Sequence, residues 1–204
     1  MKEGIALVIG GNRGIGFNLV KALRSRGWTV YASVRPQTRA DKSDPSCNEQ
    51  QLEATGARIL EIDTLIEATV HQAAKEFGLR RLDVLVNSAD NTSGSNLAYR
   101  LSKTAINQFS RTLAAELPVQ DPPAEGPSSY SALKLDKATT SKICVLSIHP
   151  GFIPTKMTNF EGPDDMDECI EGIVEQVERE EGEWKGGNRR SGGYFDWKGE
   201  VMDW

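Results

Sequence analysis

Apolar positions along this chain follow two alternating rhythms. Ile5-Ala6-Leu7-Val8-Ile9 is a continuous apolar run, the pattern of a parallel strand covered on both faces. After a glycine-rich turn, Ile15, Leu19 and Leu23, helped by Val20 and Ala22, recur at helical spacing. That stripe ends at Arg24 and Arg26, and Gly27 follows as a C-terminal cap. Trp28 to Val34 is rich in β-formers and predicts a second strand. Together these segments predict a βαβ unit of about thirty residues with a right-handed crossover.

The alternation continues. The polar segment from Pro36 predicts a loop leading into a helix over Glu49 to Ala54. Ala57 to Asp63 predicts a third strand, Thr64 to Phe77 a helix with Leu65, Thr69, Ala73 and Phe77 on one stripe, and Leu82 to Asn87 a fourth strand. A long amphipathic helix is expected from about Asn96 to Leu117, its stripe using Leu101, Ala105, Phe109 and Leu113, with Ser95 or Asn96 as its cap. Residues 118–142, rich in Pro, Ser and charge, predict a mobile insertion. Ile143 to Ile148 predicts a further buried strand, and Ile170, Ile173, Val174 and Val177 mark a last helix before a glycine-rich stretch and a short aromatic tail. There are no internal repeats. Strands alternating with helices imply an α/β, Rossmann-type, doubly wound parallel sheet, forming a single domain over residues 1–204.

Composition narrows the function class. The chain has 204 residues, 38% of them hydrophobic, enough for one ordinary core. With 24 basic against 29 acidic residues and a net charge of -5, it has no dense basic block, so nucleic acid is not an expected partner. No apolar run approaches a membrane span, and glycines interrupt the first apolar run too early for a signal peptide, so the expected location is cytoplasmic, with no membrane partner. Cys47, Cys144 and Cys169 are too scattered for a disulfide framework, and neither His71 nor His149 has ligand-spaced neighbours, so no metal site is expected.

Three places carry candidate chemistry. Gly10-Gly11-Asn12-Arg13-Gly14-Ile15-Gly16 lies between the first strand and the first helix. Glycines there let the backbone approach a pyrophosphate, and the free amides and positive end of the helix attract its charge. At the end of the second strand, where an acidic residue would bond the ribose of NAD, the chain has Val34 and Arg35. Arg35, with Arg13 as a second cation, favours the 2′-phosphate of NADP. Tyr99 and Lys103 are spaced to share one face of a helix. A tyrosine hydroxyl has a reference pKa near 10, and an adjacent ammonium stabilises the phenolate, so the pair can pass a proton to or from a carbonyl or alcohol oxygen. Tyr130 and Lys134 repeat the spacing among Pro122, Pro123 and Pro127, without a long amphipathic helix behind them. Finally, Pro150-Gly151-Phe152-Ile153-Pro154-Thr155 follows a strand, where ligands of open parallel sheets bind.

In combination and in order, these motifs resemble the short-chain dehydrogenase/reductase family. The T-G-x-x-x-G-x-G loop corresponds to IGGNRGIG, the N-N-A-G strand end to Asn87-Ser88-Ala89-Asp90, Y-x-x-x-K to Tyr99 through Lys103, and P-G-x-x-x-T to Pro150 through Thr155. NTSGSNLAYRLSKTAINQFSRTLAAEL, HPGFIPTKM and SGGYFDWKGEVMDW look especially like C-factor-type and sniffer-type carbonyl reductases. The resemblance implies that Gly10, Gly14 and Gly16 hold the diphosphate of NADP, aided by Asn12, Arg13 and Ile15. It further implies that Asp63 meets the adenine, that Asn87 supports the cofactor, and that Thr155, in the loop begun by Pro150 and Gly151, holds the nicotinamide carboxamide. Lys103 would bond the nicotinamide ribose and lower the pKa of Tyr99, the general acid in hydride transfer between NADP(H) and a small carbonyl or alcohol. Assembly into a homo-oligomer stays open.

The chain also departs from the family pattern. Ile9 replaces the loop threonine, and Ser88 and Asp90 replace the second Asn and the Gly of the strand motif. Asp90 and Tyr99 are only nine positions apart, where family members have several dozen residues comprising a helix and a further strand. About a dozen residues before the tyrosine, where the family has its catalytic serine, this chain has Val86 and Asn87, so no serine aligns and turnover is expected to be impaired. The alternative is a nucleotide-binding protein without turnover. With no strand available between them, the fourth strand and the one after the insertion should become neighbours or leave a gap.

Overall fold

The computed structural model describes residues 4–40, 49–78, 82–87, 108, 146–155, 158–179 and 193–202. The order of elements is β1 (Ile5–Ile9), α1 (Gly14–Ser25), β2 (Thr29–Val34), α2 (Pro36–Ala40), α3 (Glu49–Ala54), β3 (Arg58–Glu61), α4 (Glu67–Phe77), β4 (Val84–Asn87), β5 (Leu146–His149), α5 (Met166–Glu178) and β6 (Gly193–Asp196). The first four strands form one parallel sheet in the order β3-β2-β1-β4. The architecture is α/β and Rossmann-like, as the alternating pattern implies.

The sheet is covered on both faces because its strands carry apolar side chains at successive positions. Ala6 and Val8 of β1, with Val30, Ala32 and Val34 of β2, join Leu19, Val20 and Leu23 of α1 and Ile170, Ile173 and Val174 of α5 in one core. On the opposite face Tyr31, Leu60 and Ile62 pack with Ala73 and Phe77 of α4, and Ile5, Leu7 and Ile9 lie against them. Tyr31 and Phe77 meet edge to face, their ring centroids 4.8 Å apart. Each fully buried aliphatic side chain contributes about 1.5–3 kcal/mol by leaving water.

Local chemistry ends α1 where the sequence predicts. Gly27 adopts a φ of 89°, its amide bonds to the Arg24 carbonyl at 3.0 Å, and the Trp28 amide reaches the Leu23 carbonyl at 3.1 Å. This paired closure turns the chain directly into β2. From that corner Arg26 pairs with Glu171 and Glu178 of α5, and Trp28 Nε1 donates to Glu178 at 2.9 Å. Burial alone would lower the Arg26 pKa, but the Glu178 and Glu171 carboxylates hold it above its ordinary value.

Several boundaries differ from the sequence expectation. α4 begins at Glu67 because residues 63–66 form a turn, in which the Leu65 and Ile66 amides bond to the Asp63 carboxylate and carbonyl. Leu65 is therefore outside the helix and 76% exposed, while Ala73 and Phe77 keep their buried places. The segment from Pro36, expected as loop, contains α2. The tail contains β6, which pairs in parallel with β5, His149 opposite Asp196. β4 and β5 share no ladder among the described residues. The insertion at 118–142 and, apart from helical Gln108, the helix expected from Asn96 to Leu117 lie outside the described residues.

Candidate functional site

The glycine loop leaves the carboxyl end of β1 and crosses the end of β2. Gly10 has a φ of 79° and Gly14 of 54°, conformations that favour glycine. Gly11 is glycine for a different reason: a Cβ there would sit 2.9 Å from the Ala32 Cβ. The loop is pinned from β2 at two points, since the Gly10 amide donates to Ser33 Oγ at 3.0 Å and the Gly11 amide to the Ser33 carbonyl at 3.1 Å.

Arg13 is the N-cap of α1 and offers no capping side chain, and the first turn holds no acidic residue. The Phe17 amide is satisfied by the Arg13 carbonyl at 3.2 Å. The amides of Gly14, Ile15 and Gly16 have no partner among the described residues, as the start of an uncapped helix dictates. A Cβ at Gly14 would meet nothing within 4 Å, so open space adjoins the first residue of the helix. Free donors at the positive end of a twelve-residue helix can hold a diphosphate. The residues present therefore fit that part of a dinucleotide.

Other candidate residues line the same edge of the sheet. Arg35 is exposed directly after β2, and Arg13 is exposed at the head of α1. Asn12 is 8% exposed within the loop. Asn87 stands at the end of β4, in register with Ile9. Asp63, buried after β3, accepts from the Leu65 amide at 3.0 Å and from Gln37 Nε2 at 3.3 Å. Helix α2 is thus tied to β3 by Arg39 to Glu61 at 2.9 Å and to the turn just after it by Gln37 to Asp63. These ties hold the segment that follows Arg35, and no local sequence signal announced them. An open depression of about 360 Å³ beside them, lined among others by Pro36, Arg39, Ile59, Glu61 and Gln72, contains none of the glycine-loop residues.

After β5, the Pro150–Thr155 loop is fixed by close contacts. Gly151 has a φ of 93°, its amide donates to His149 Nδ1 at 3.1 Å, and Asp164 accepts from the Phe152 amide. The Thr155 amide donates to Thr158 Oγ1 at 2.9 Å, and the Thr155 carbonyl accepts from Thr158 and Phe160. The Thr155 hydroxyl has no partner among the described residues. Beneath the loop, burial, joined by the Asp164, Asp165 and Glu168 carboxylates, pushes the Cys169 thiol up to about 11. Tyr99, Lys103, Tyr130 and Lys134 lie outside the described residues. No cluster of three metal-ligating side chains occurs among the described residues, and no helix among them is long and apolar enough to cross a membrane.

The family model described as short chain dehydrogenase matches residues 4–97, the stretch that holds the glycine loop, Arg35, Asp63 and Asn87. The likeness to that family covers residues 4–97, a little under half of the chain. The chain is 34% identical over 89 residues to the short chain dehydrogenase/reductase dpchH of Colletotrichum higginsianum, a match covering 42% of this chain and 22% of that protein. It is 34% identical over 92 residues to dpfgH of Gibberella zeae, covering 26% of that protein. The matched part thus spans about a quarter of the length of these relatives. Among solved structures, a short-chain dehydrogenase/reductase of Burkholderia multivorans with bound NADP is 20% identical, with a TM-score of 0.67 and all of both chains covered. The Pseudomonas aeruginosa RhlG/NADP complex is 21% identical, with a TM-score of 0.62, covering 95% of this chain and 94% of that one. At these identities the likeness is one of fold.

Proposed function

We propose that this chain is an NADP(H)-dependent oxidoreductase acting on a small carbonyl or alcohol, of the carbonyl-reductase branch, with turnover impaired by the missing serine. The observation that carries cofactor binding is the set of partnerless amides at Gly14, Ile15 and Gly16 at the head of α1, with open space at Gly14. Gly10, Asn12 and Ile15 shape that loop, and Arg13 and Arg35 supply charge for a 2′-phosphate. NADP in the Burkholderia and Pseudomonas structures supports the choice of cofactor. Asp63 keeps acceptor capacity for an adenine amine, Asn87 ends the neighbouring strand, and Thr155 offers its hydroxyl to a carboxamide beyond Pro150 and Gly151.

When bound, NADPH supplies the hydride. The chain's own tasks are to hold the carbonyl compound and deliver a proton to its oxygen. Tyr99 donates that proton and Lys103 stabilises the phenolate left behind. A missing donor at an oxyanion commonly costs on the order of a hundredfold to a thousandfold in rate. The short separation of Asp90 and Tyr99, nine positions apart, favours a second reading, in which the chain binds nucleotide without turnover.

Reduction of simple aldehydes and ketones, followed by loss of NADPH absorbance, tests the assignment. Weak activity that vanishes in Tyr99→Phe and persists in Tyr130→Phe is the expected result. Activity that survives Tyr99→Phe but not Tyr130→Phe would place the acid in the insertion instead. A complete lack of turnover alongside NADPH binding would favour the second reading.

A further inference from the structure

We infer that Ser33 is a positioning residue for the cofactor diphosphate, acting through the glycine loop rather than by touching the ligand. The inference rests on the NADP(H) reading above. Ser33 is a polar side chain in an otherwise apolar stretch of β2 and is 1% exposed. A hydroxyl so placed is costly unless bonded, and its bond here goes to the loop: Ser33 Oγ accepts from the Gly10 amide at 3.0 Å. The Ser33 carbonyl takes the next amide, that of Gly11, at 3.1 Å. The ladder between β1 and β2 pairs Val8 with Ala32 as its last register, so these two bonds continue the attachment just beyond the sheet.

The consequence is directional. Gly10 sits at a φ of 79°, where the glycine backbone is least restricted, and the loop runs only through Gly11, Asn12 and Arg13 before α1 begins. Fixing the Gly10 amide fixes the plane of the peptide that turns the chain, and with it the direction in which the Gly14, Ile15 and Gly16 amides point. Replacing Ser33 by Ala preserves volume and keeps the carbonyl bond to Gly11, while removing the Ser33 Oγ bond that holds the Gly10 amide. The Arg35 and Asp63 parts of the site do not depend on that bond.

Two ligands separate this role from general damage. NADPH engages the loop through its diphosphate, whereas adenosine 2′-monophosphate carries the adenine and 2′-phosphate but no diphosphate. Binding of each is measured to wild type, Ser33→Ala and Ser33→Thr, by calorimetry for NADPH and NMR titration for the monophosphate. Ser33→Ala should weaken NADPH about fivefold to tenfold, leave the monophosphate within about twofold, and be rescued in Ser33→Thr, which restores the hydroxyl. Unchanged NADPH affinity in Ser33→Ala, or equal weakening of both ligands, overturns the inference. Wild type that binds neither ligand overturns the NADP(H) reading and this inference with it.

Discussion

The sheet of β1 to β4 and the β5–β6 region are built on different principles. In the first, continuous apolar runs are sandwiched between helices, and specificity comes from which side chains face which layer. In the second, neighbouring groups approach glycines so closely that a side chain is excluded: a Cβ on Gly172 would lie 2.5 Å from the Trp197 carbonyl oxygen, and one on Gly199 2.7 Å from the Gln176 side-chain Nε2. The first kind of order is written as periodicity and the second as the absence of a side chain at single positions. The regions meet where α5 packs on α1, through a shared apolar core and the Arg26, Glu171 and Glu178 cluster.

That junction predicts the largest effect. Leu23 is 1% exposed in the core that α1 and α5 share, so Leu23→Ala should cost about 3 kcal/mol and lower the stability of both regions together. Hydrogen exchange resolved by segment checks this, and loss of protection confined to residues before 88 would separate the regions. Gly172→Ala should cost about 2 kcal/mol by overpacking against Trp197, less whatever the better helix former returns. A neutral result in urea unfolding would mean that the close approach is not a constraint. Glu178→Gln removes the charge that faces Arg26 while keeping an acceptor for Trp28, and should cost about 1.5 kcal/mol, with the difference shrinking in high salt.

The smallest effect is one of pH. An unfolded thiol with the ordinary value of 9.0 loses its proton before the native Cys169, held at about 11, so the native state binds more protons between those values. Stability therefore falls as pH rises through that window, by about 1 kcal/mol at pH 10, and is unaffected by this group below about pH 8. Urea unfolding across pH 8 to 11 in wild type and Cys169→Ala checks the sign, since the variant should lose this part of the slope.

The same contrast explains what the sequence disclosed. The βαβ start, the Gly27 cap and the two-faced sheet were legible because each depends on local pattern, and the glycine loop because its position between strand and helix carries its meaning. Helix α2 escaped notice: five polar-rich residues beginning at Pro36 have no period, and its ties run to Asp63 and Glu61, far along the chain. β6 escaped because four residues after a glycine-rich stretch look like a tail until β5 is placed beside them. Ser33 left one faint signal, a hydroxyl inside a buried strand, with nothing local to name Gly10 as its partner.

The proposed NADPH site joins the free amides at the head of α1 with Arg13, which caps that helix, and Arg35, which follows β2. Calorimetric titration of the whole chain with NADPH and NADH tests it most directly. Saturable binding of one NADPH per chain is expected, tighter than NADH, with that preference lost in Arg35→Asp. No saturable heat with either nucleotide, or equal affinities that Arg35→Asp leaves unchanged, would contradict it.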